Sequence, residues 1–195
     1  MTVTTLKVGK HSAHSGEVCL LEAVSVLAGE VFSDTPETAC PVLASFGRSL
    51  NDAMPDDETR AILLPLIPLL VGTRDPEKEQ ARAFFLADSA VRLFAPIALD
   101  AAGLLTLAHT LRYLPAIVDT ETARAAESAA WAARAAAEAW AAAESTAWAA
   151  RAAWAVAKAA AEAAAEATAK SAAEAARAAN DWQVAVSVFR EAIAL

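Results

Sequence analysis

His11 and His14 stand three residues apart, Cys19 is followed three positions on by Glu22, and Asp34 and Cys40 come later in the same stretch. Thiolate, imidazole and carboxylate together can bind Zn²⁺ or Fe²⁺, and residues at i and i+3 share a helix face. Cys19, Glu22, Cys40 and His14 are therefore the candidate ligands of a metal- or thiol-dependent enzyme or sensor. The spacing matches no established ligand pattern. Its plainer reading is a small buried thiol on a helix, a capping or solvated carboxylate at Glu22, and histidines in a loose arm. A Cys–His nucleophile would also need an orienting third group, and none can be argued. Elsewhere the chain has no Gly-rich phosphate loop, no serine nucleophile elbow and no HExxH, and His109 is the remaining histidine. The leading expectation is thus a non-enzymatic protein with no cofactor. Zn or Fe chemistry is the alternative, and an apolar ligand held in a helical bundle is a further one.

The more distinctive stretch is WAARAAAEAWAAAESTAWAARAAW, Trp131 to Trp154, in which the hexapeptide WAARAA occurs twice, seventeen positions apart. Alanine has no side-chain torsion to lose and lets helix backbones approach closely. An alanine face gains little on burial, so a few large side chains must anchor it, and an indole buries about 150–250 Å². Trp131, Trp140, Trp148 and Trp154 are the expected anchors of an interaction surface, with Arg134 and Arg151 setting register. The partner is expected to be another copy of the chain or another helical protein. The same indoles could equally be ordinary core.

These residues need elements to position them. Residues 1–16 lack apolar periodicity and read as a flexible arm, with at most a short extended piece at Val3 to Val8. Residues 17–116 read as an all-α bundle of five helices separated by Pro and Gly. The first carries Val18, Leu21, Val24 and Leu27, and Gly29 ends it. The second starts at Asp34-Thr35-Pro36-Glu37, with Asp34 as N-cap, and buries Ala39, Leu43, Phe46 and Leu50. The third starts at Pro55-Asp56-Asp57-Glu58 and is kinked and buried through LLPLIPLLVG. The fourth starts at Asp75-Pro76-Glu77 and ends at Pro96. The fifth spans about Ile97 to Tyr113 despite Gly103.

From Glu121 to Asn180 there is neither Pro nor Gly, and 35 of the 60 residues are alanine, the best helix former. Unbroken, residues 119–180 would span about 90 Å, so the segment either projects or folds back. Its charged residues follow two lines that do not share a face. A hairpin turning near Ala141 to Thr146, with Ser145 or Thr146 as a new N-cap, is preferred narrowly over a continuous helix. Asn180-Asp181 then caps a short docking helix over 181–195, with Val184, Val188, Phe189 and Ile193 facing inward.

At 195 residues with a net charge of −8, the chain can bury a core without staples, and it repels nucleic acid and anionic membrane surfaces on average. Its longest uncharged apolar run, Ile62 to Val71, is broken by two prolines, so neither a membrane span nor a secretory signal is read. Two cysteines without a disulfide framework fit a cytoplasmic setting.

The stretch Cys19-x-x-Glu22-Ala23, Ala28-Gly29-Glu30, Ser33-Asp34-x-Pro36, Cys40-Pro41-Val42-Leu43, Phe46, Asn51-Asp52 and Val71-Gly72-Thr73 resembles an uncharacterised family of bacterial and phage proteins. Members of that family look similar in carrying Ala-rich tails punctuated by aromatic residues. The resemblance covers about Glu17 to Leu104. It implies a module boundary and draws attention to Cys19, Glu22, Asp34 and Cys40, and no activity comes with it.

Overall fold

The computed structural model describes residues 3–137 and 140–195, and of Trp140 and Ala141 only the backbone. The protein is all-α, and no strand occurs among the described residues. Helices α1 (Leu20–Ala28) and α2 (Pro41–Ala53) are followed by a short α3 (Asp57–Arg60), a 3₁₀ segment (Ala61–Leu66) and α4 (Ile67–Leu70). Then come α5 (Pro76–Ser89), a π-helical turn (Ala90–Phe94), α6 (Ala95–Ala101) and α7 (Leu105–Arg112). The Ala-rich segment forms α8 (Thr120–Ala136), α9 (Trp140–Ala157) and α10 (Ala161–Ala179), and α11 (Gln183–Ala194) closes the fold.

Local chemistry explains most boundaries. Gly29 takes the left-handed conformation after α1, and Asp56 and Asp75 cap α3 and α5 by accepting from Thr59 N and Glu77 N. Several boundaries differ from expectation, and the third helix, expected as one kinked element, is divided into α3, the 3₁₀ segment and α4. Helix α2 starts at Pro41 rather than after Asp34, because the Glu30 carboxylate takes the N–H groups of Glu37 and Thr38 at 2.7 and 2.8 Å and holds that stretch as a turn. Pro96 does not end a helix. The preceding π turn, closed by Ala95 N to Ala90 O, widens the backbone and carries the chain on into α6. Gly103, at φ +77°, instead breaks the expected fifth helix into α6 and α7. The proline-rich run is buried on one side only: Leu63, Leu66, Ile67 and Leu70 face the core, while Leu69 is exposed.

The Ala-rich segment is neither a continuous helix nor a hairpin turning at Ser145. It folds back as three helices, with breaks at Ala137 and at Lys158 to Ala160, where Ala159 adopts φ +57°. Ser145 and Thr146 lie buried inside α9 rather than capping it. Ser145 Oγ donates to Ser171 O at 3.1 Å, and Ser171 Oγ donates back to Ser145 O at 3.0 Å, so α9 and α10 approach closely enough for a hydroxyl to bridge them. Helix α10 is the centre of the molecule, packing on α2, α5, α6, α9, α11 and the π turn. Its buried residues are alanines with Thr168 and Ser171. The outermost helix, α8, packs mainly on α9, with a lesser contact to α7.

Helix α11 docks on the bundle through Ala185, Val186, Val188, Phe189 and Ala192, and of the residues expected to face inward Val184 and Ile193 are only half-buried. The Phe189 ring lies 5.0 Å from that of Phe46. It sits against Gly47, where a Cβ would meet Phe189 Cζ at 2.8 Å.

The segment read as a loose arm is docked. Leu6 is fully buried, Lys7 N donates to Val18 O at 2.9 Å, and Asn51 Nδ2 donates to Lys7 O at 2.9 Å. Its anchors are Leu6, the partly buried Val3 and a set of polar contacts to distant residues, which leave no periodicity in the arm itself.

Candidate functional site

The Cys19 cluster is built around the start of α1. Cys19 is the N-cap in extended backbone, and Glu22, three residues on, reaches back to it, a capping-box geometry that satisfies an otherwise open helix N–H. Glu22 Oε2 accepts from Cys19 N at 2.8 Å and from His11 Nδ1 at 2.8 Å, and Oε1 accepts from His11 N at 2.6 Å. The carboxylate is completely buried. Burial opposes its ionisation, but the N–H donors of Cys19 and His11 prevail and hold it below the usual carboxylate range. Burial pushes the Cys19 thiol up to about 12, against a smaller pull from the backbone N–H of Glu22. Cys19 is therefore protonated and unreactive at neutral pH.

The structure thus joins Cys19 to Glu22 and adds His11, which the sequence reading passed over in favour of His14. His14 is exposed. Cys40 is the buried N-cap of α2, and its N–H donates to Thr73 Oγ1 at 3.0 Å. Among the described residues no group of three or more His, Cys, Asp or Glu is arranged to hold a metal ion. The neighbouring polar residues also serve the fold. Asp34 pairs with Lys10 and approaches Arg48, Gly72 N donates to Thr38 Oγ1, and the buried Arg60 holds Asn51 O and Met54 O.

The second candidate is the outer face of the Ala-rich layer. Each WAARAA hexapeptide places an arginine three residues after a tryptophan, on one helix face. In α8 the Arg134 guanidinium lies 5.6 Å from the Trp131 ring centroid. In α9 Arg151 lies 4.4 Å from Trp148 and, across the helix boundary, 5.8 Å from Trp131. From α10, Lys170 Nζ lies 4.5 Å from the other indole, Trp148, while bonding Glu166 at 2.5 Å. The result is a ladder of alternating cations and indoles, Arg134, Trp131, Arg151, Trp148 and Lys170, running across three helices. Each rung is worth about 0.5–1 kcal/mol at an exposed site.

Lys170 and its partner Glu166 were missed as site residues. Their i, i+4 spacing, which puts both on one face, was the available signal. Trp148 is half-buried beneath the ladder, whereas Trp131 is 37% and Trp154 50% exposed. Trp154 follows Arg151 by one helical turn, at the margin of the ladder. The side chain of Trp140, the remaining expected anchor, lies outside the described residues.

No helix among the described residues is long and apolar enough to cross a membrane. No family profile, curated protein or solved structure matches the chain.

Proposed function

We propose that the protein is a non-enzymatic interaction module whose Ala/Trp layer presents Trp131 and Trp154 for self-association. The observation that carries this reading is the exposure of two indoles, Trp131 stacked with Arg134 and Arg151, and Trp154 one helical turn beyond Arg151. Tryptophan and arginine are the residues most enriched at the energetic centres of protein interfaces. Arginines ordered in the free protein lose less side-chain freedom when a partner arrives. A second copy is the preferred partner, with another helical protein as the alternative. A thiol-dependent reading gains no support from a Cys19 held protonated by burial. Two free, buried cysteines suit a cytoplasmic setting.

The test is mass in solution against protein concentration, by light scattering after size exclusion, for the wild type and for Trp131→Ala/Trp154→Ala. A concentration-dependent oligomer lost in the double variant is the expected result. A strict monomer in both overturns the proposal and leaves the indoles as surface anchors of the chain's own layer. Trp148→Ala is not a useful substitute, because the half-buried ring supports Arg151 and Lys170 within the layer.

A further inference from the structure

The arm is held in an unusual way for a segment without helix or strand. From Leu6 to His11 no residue is seen to bond to another arm residue, and each anchor lies on the bundle. Leu6 fills an apolar socket, and the backbone of Lys7 is held at Val18 O and by Asn51 Nδ2. Four bundle carboxylates take the rest, and Glu17 of the connection to α1 lies 3.8 Å from His11 Nε2. Asp57 pairs with Lys7 at 2.5 Å, Asp52 accepts from Gly9 N at 2.9 Å, Asp34 pairs with Lys10 at 2.9 Å, and Glu22 accepts from His11 N and Nδ1. The bundle face beneath the arm therefore fits an extended basic segment anchored by two apolar residues, Val3 and Leu6, and the arm is that segment.

The connection to α1 is different. Ser12 to Glu17 are exposed, Gly16 is at φ +76°, and the reversal is closed by Ser15 N and Oγ donating to Ser12 O. These six residues extended would reach roughly 20 Å.

We infer that this surface is also a docking site for the arm of a second copy, so that two chains exchange residues 3–11 and close a two-fold dimer. Every contact in the exchanged form is identical to one in the monomer, and reciprocal exchange of an identical element is a low-cost route to a closed pair. The balance between the forms rests on the linker. A short flexible connection gives the chain's own arm an effective concentration on the order of millimolar. The wild type therefore keeps its arm at micromolar concentration and exchanges it when crowded locally or when the reversal is hindered. This association uses none of the indoles of the Ala/Trp layer and stands or falls separately from that reading.

Two experiments test it, both in a Trp131→Ala/Trp154→Ala background so that the Trp surface does not contribute. In the first, deletion of Ala13, His14 and Ser15 removes the reversal while leaving arm and dock intact. The expected result is a helical protein of twice the monomer mass at micromolar concentration, returned to monomer by Leu6→Asp. A folded, monomeric deletion variant overturns the inference. In the second, full-length Lys10→Glu and Asp34→Lys variants are mixed at millimolar concentration and read by native mass spectrometry. In either chain alone like charges face each other across the dock, whereas in an exchanged heterodimer both docks pair opposite charges. Heterodimer well above either homodimer is expected. If the deletion variant does not fold, this mixing decides alone, and a mixture containing only monomers overturns the inference.

Discussion

Arg151 reaches from α9 to the Trp131 ring of the outermost helix, so its removal should be felt at α8 and not at α10. The inner face of α8 is four alanines, Ala123, Ala126, Ala130 and Ala133. Burying four methyl groups at about 0.8 kcal/mol each contributes roughly 3 kcal/mol, an upper figure. The Arg151–Trp131 contact at 5.8 Å and the Arg151–Trp148 contact at 4.4 Å add about 0.5–1 kcal/mol apiece. The Trp148 contact lies within α9, so Arg151→Ala should lower the free energy of opening α8 by the one contact that crosses to it, about 0.5–1 kcal/mol, which corresponds to roughly two- to fivefold faster amide exchange there. Hydrogen exchange followed by mass spectrometry reads α8 and α10 as separate peptides. Protection in α10 should not change, since its contacts run to α2, α5, α6 and α11 as well. A double-mutant cycle with Trp131→Leu isolates the pair and should give a coupling of about 0.5–1 kcal/mol. Unchanged exchange in α8, or a coupling of zero, would refute the idea that the ladder holds the layer together.

Gly47→Ala forces a methyl against Phe189 Cζ at 2.8 Å and Leu20 Cδ2 at 3.1 Å. Overpacking of about 1–3 kcal/mol should outweigh the helix-propensity gain of about 1 kcal/mol, and thermal denaturation should show a lower midpoint with α11 exchanging faster. Cys19, buried and with its thiol pushed up to about 12, should resist iodoacetamide at neutral pH until denaturant is added, as read by intact mass. The arm should let go in acid. Glu22 and Asp34 are lowered despite burial, by their donors from Cys19 and His11 and from Lys10 and Arg48, and Asp57 is lowered first by its bond from Lys7. Folded values below the ordinary 4.5 and 3.8 mean the stability they add is fully present above those ordinary values and lost as pH falls through the lowered ones. Exchange at Gly9 and His11, corrected for intrinsic rates, should stay protected near neutrality and rise below about pH 4; arm protection that persists to pH 2 would count against the carboxylate latch.

Where a helix boundary is local chemistry, the residues announce it. Asp75-Pro76-Glu77 caps α5, Asp56 caps α3, and Gly29 closes α1, all within a few positions of the signal. Where a boundary is set from a distance, they do not. Asp34-Thr35-Pro36 has the form of a helix start, and only the carboxylate of Glu30, returning from the end of α1, makes it a turn. The break after α9 is harder still, because Ala159 sits in the left-handed region, at a cost of roughly 1–2 kcal/mol for a residue with a Cβ. Nothing in an alanine tract signals that conformation. The candidate site divides in the same way. The Trp–Arg pairs follow from a spacing of three residues, but which indole is exposed depends on where two turns fall. Glu22 was visible as a partner of Cys19, while His11 reaches it only because the arm folds back.

The geometry of the layer also limits how strong any association through it can be. Trp131 and Trp154 are 37% and 50% exposed, so of the about 150–250 Å² that an indole can bury, each has roughly 60–125 Å² left to offer a partner. A standard stable interface buries about 800 Å² on each side. The two indoles supply only a fraction of that, and the remainder must come from Arg134, Arg151 and the exposed small residues of α8, among them Ala125, Ser128, Ala132 and Ala135. Alanine surface contributes little free energy per residue, so the association should be weak and dependent on concentration. It should also fail as a unit when both anchors are removed, because the remaining exposed ladder residues, Arg134 and Arg151, lose the Trp131 ring that orders them. A dimer that remained intact on dilution to nanomolar concentration would need an interface several times larger than this face provides. Such a result would place the contact elsewhere on the molecule and leave the cation–indole ladder the narrower task of clamping α8 to α9.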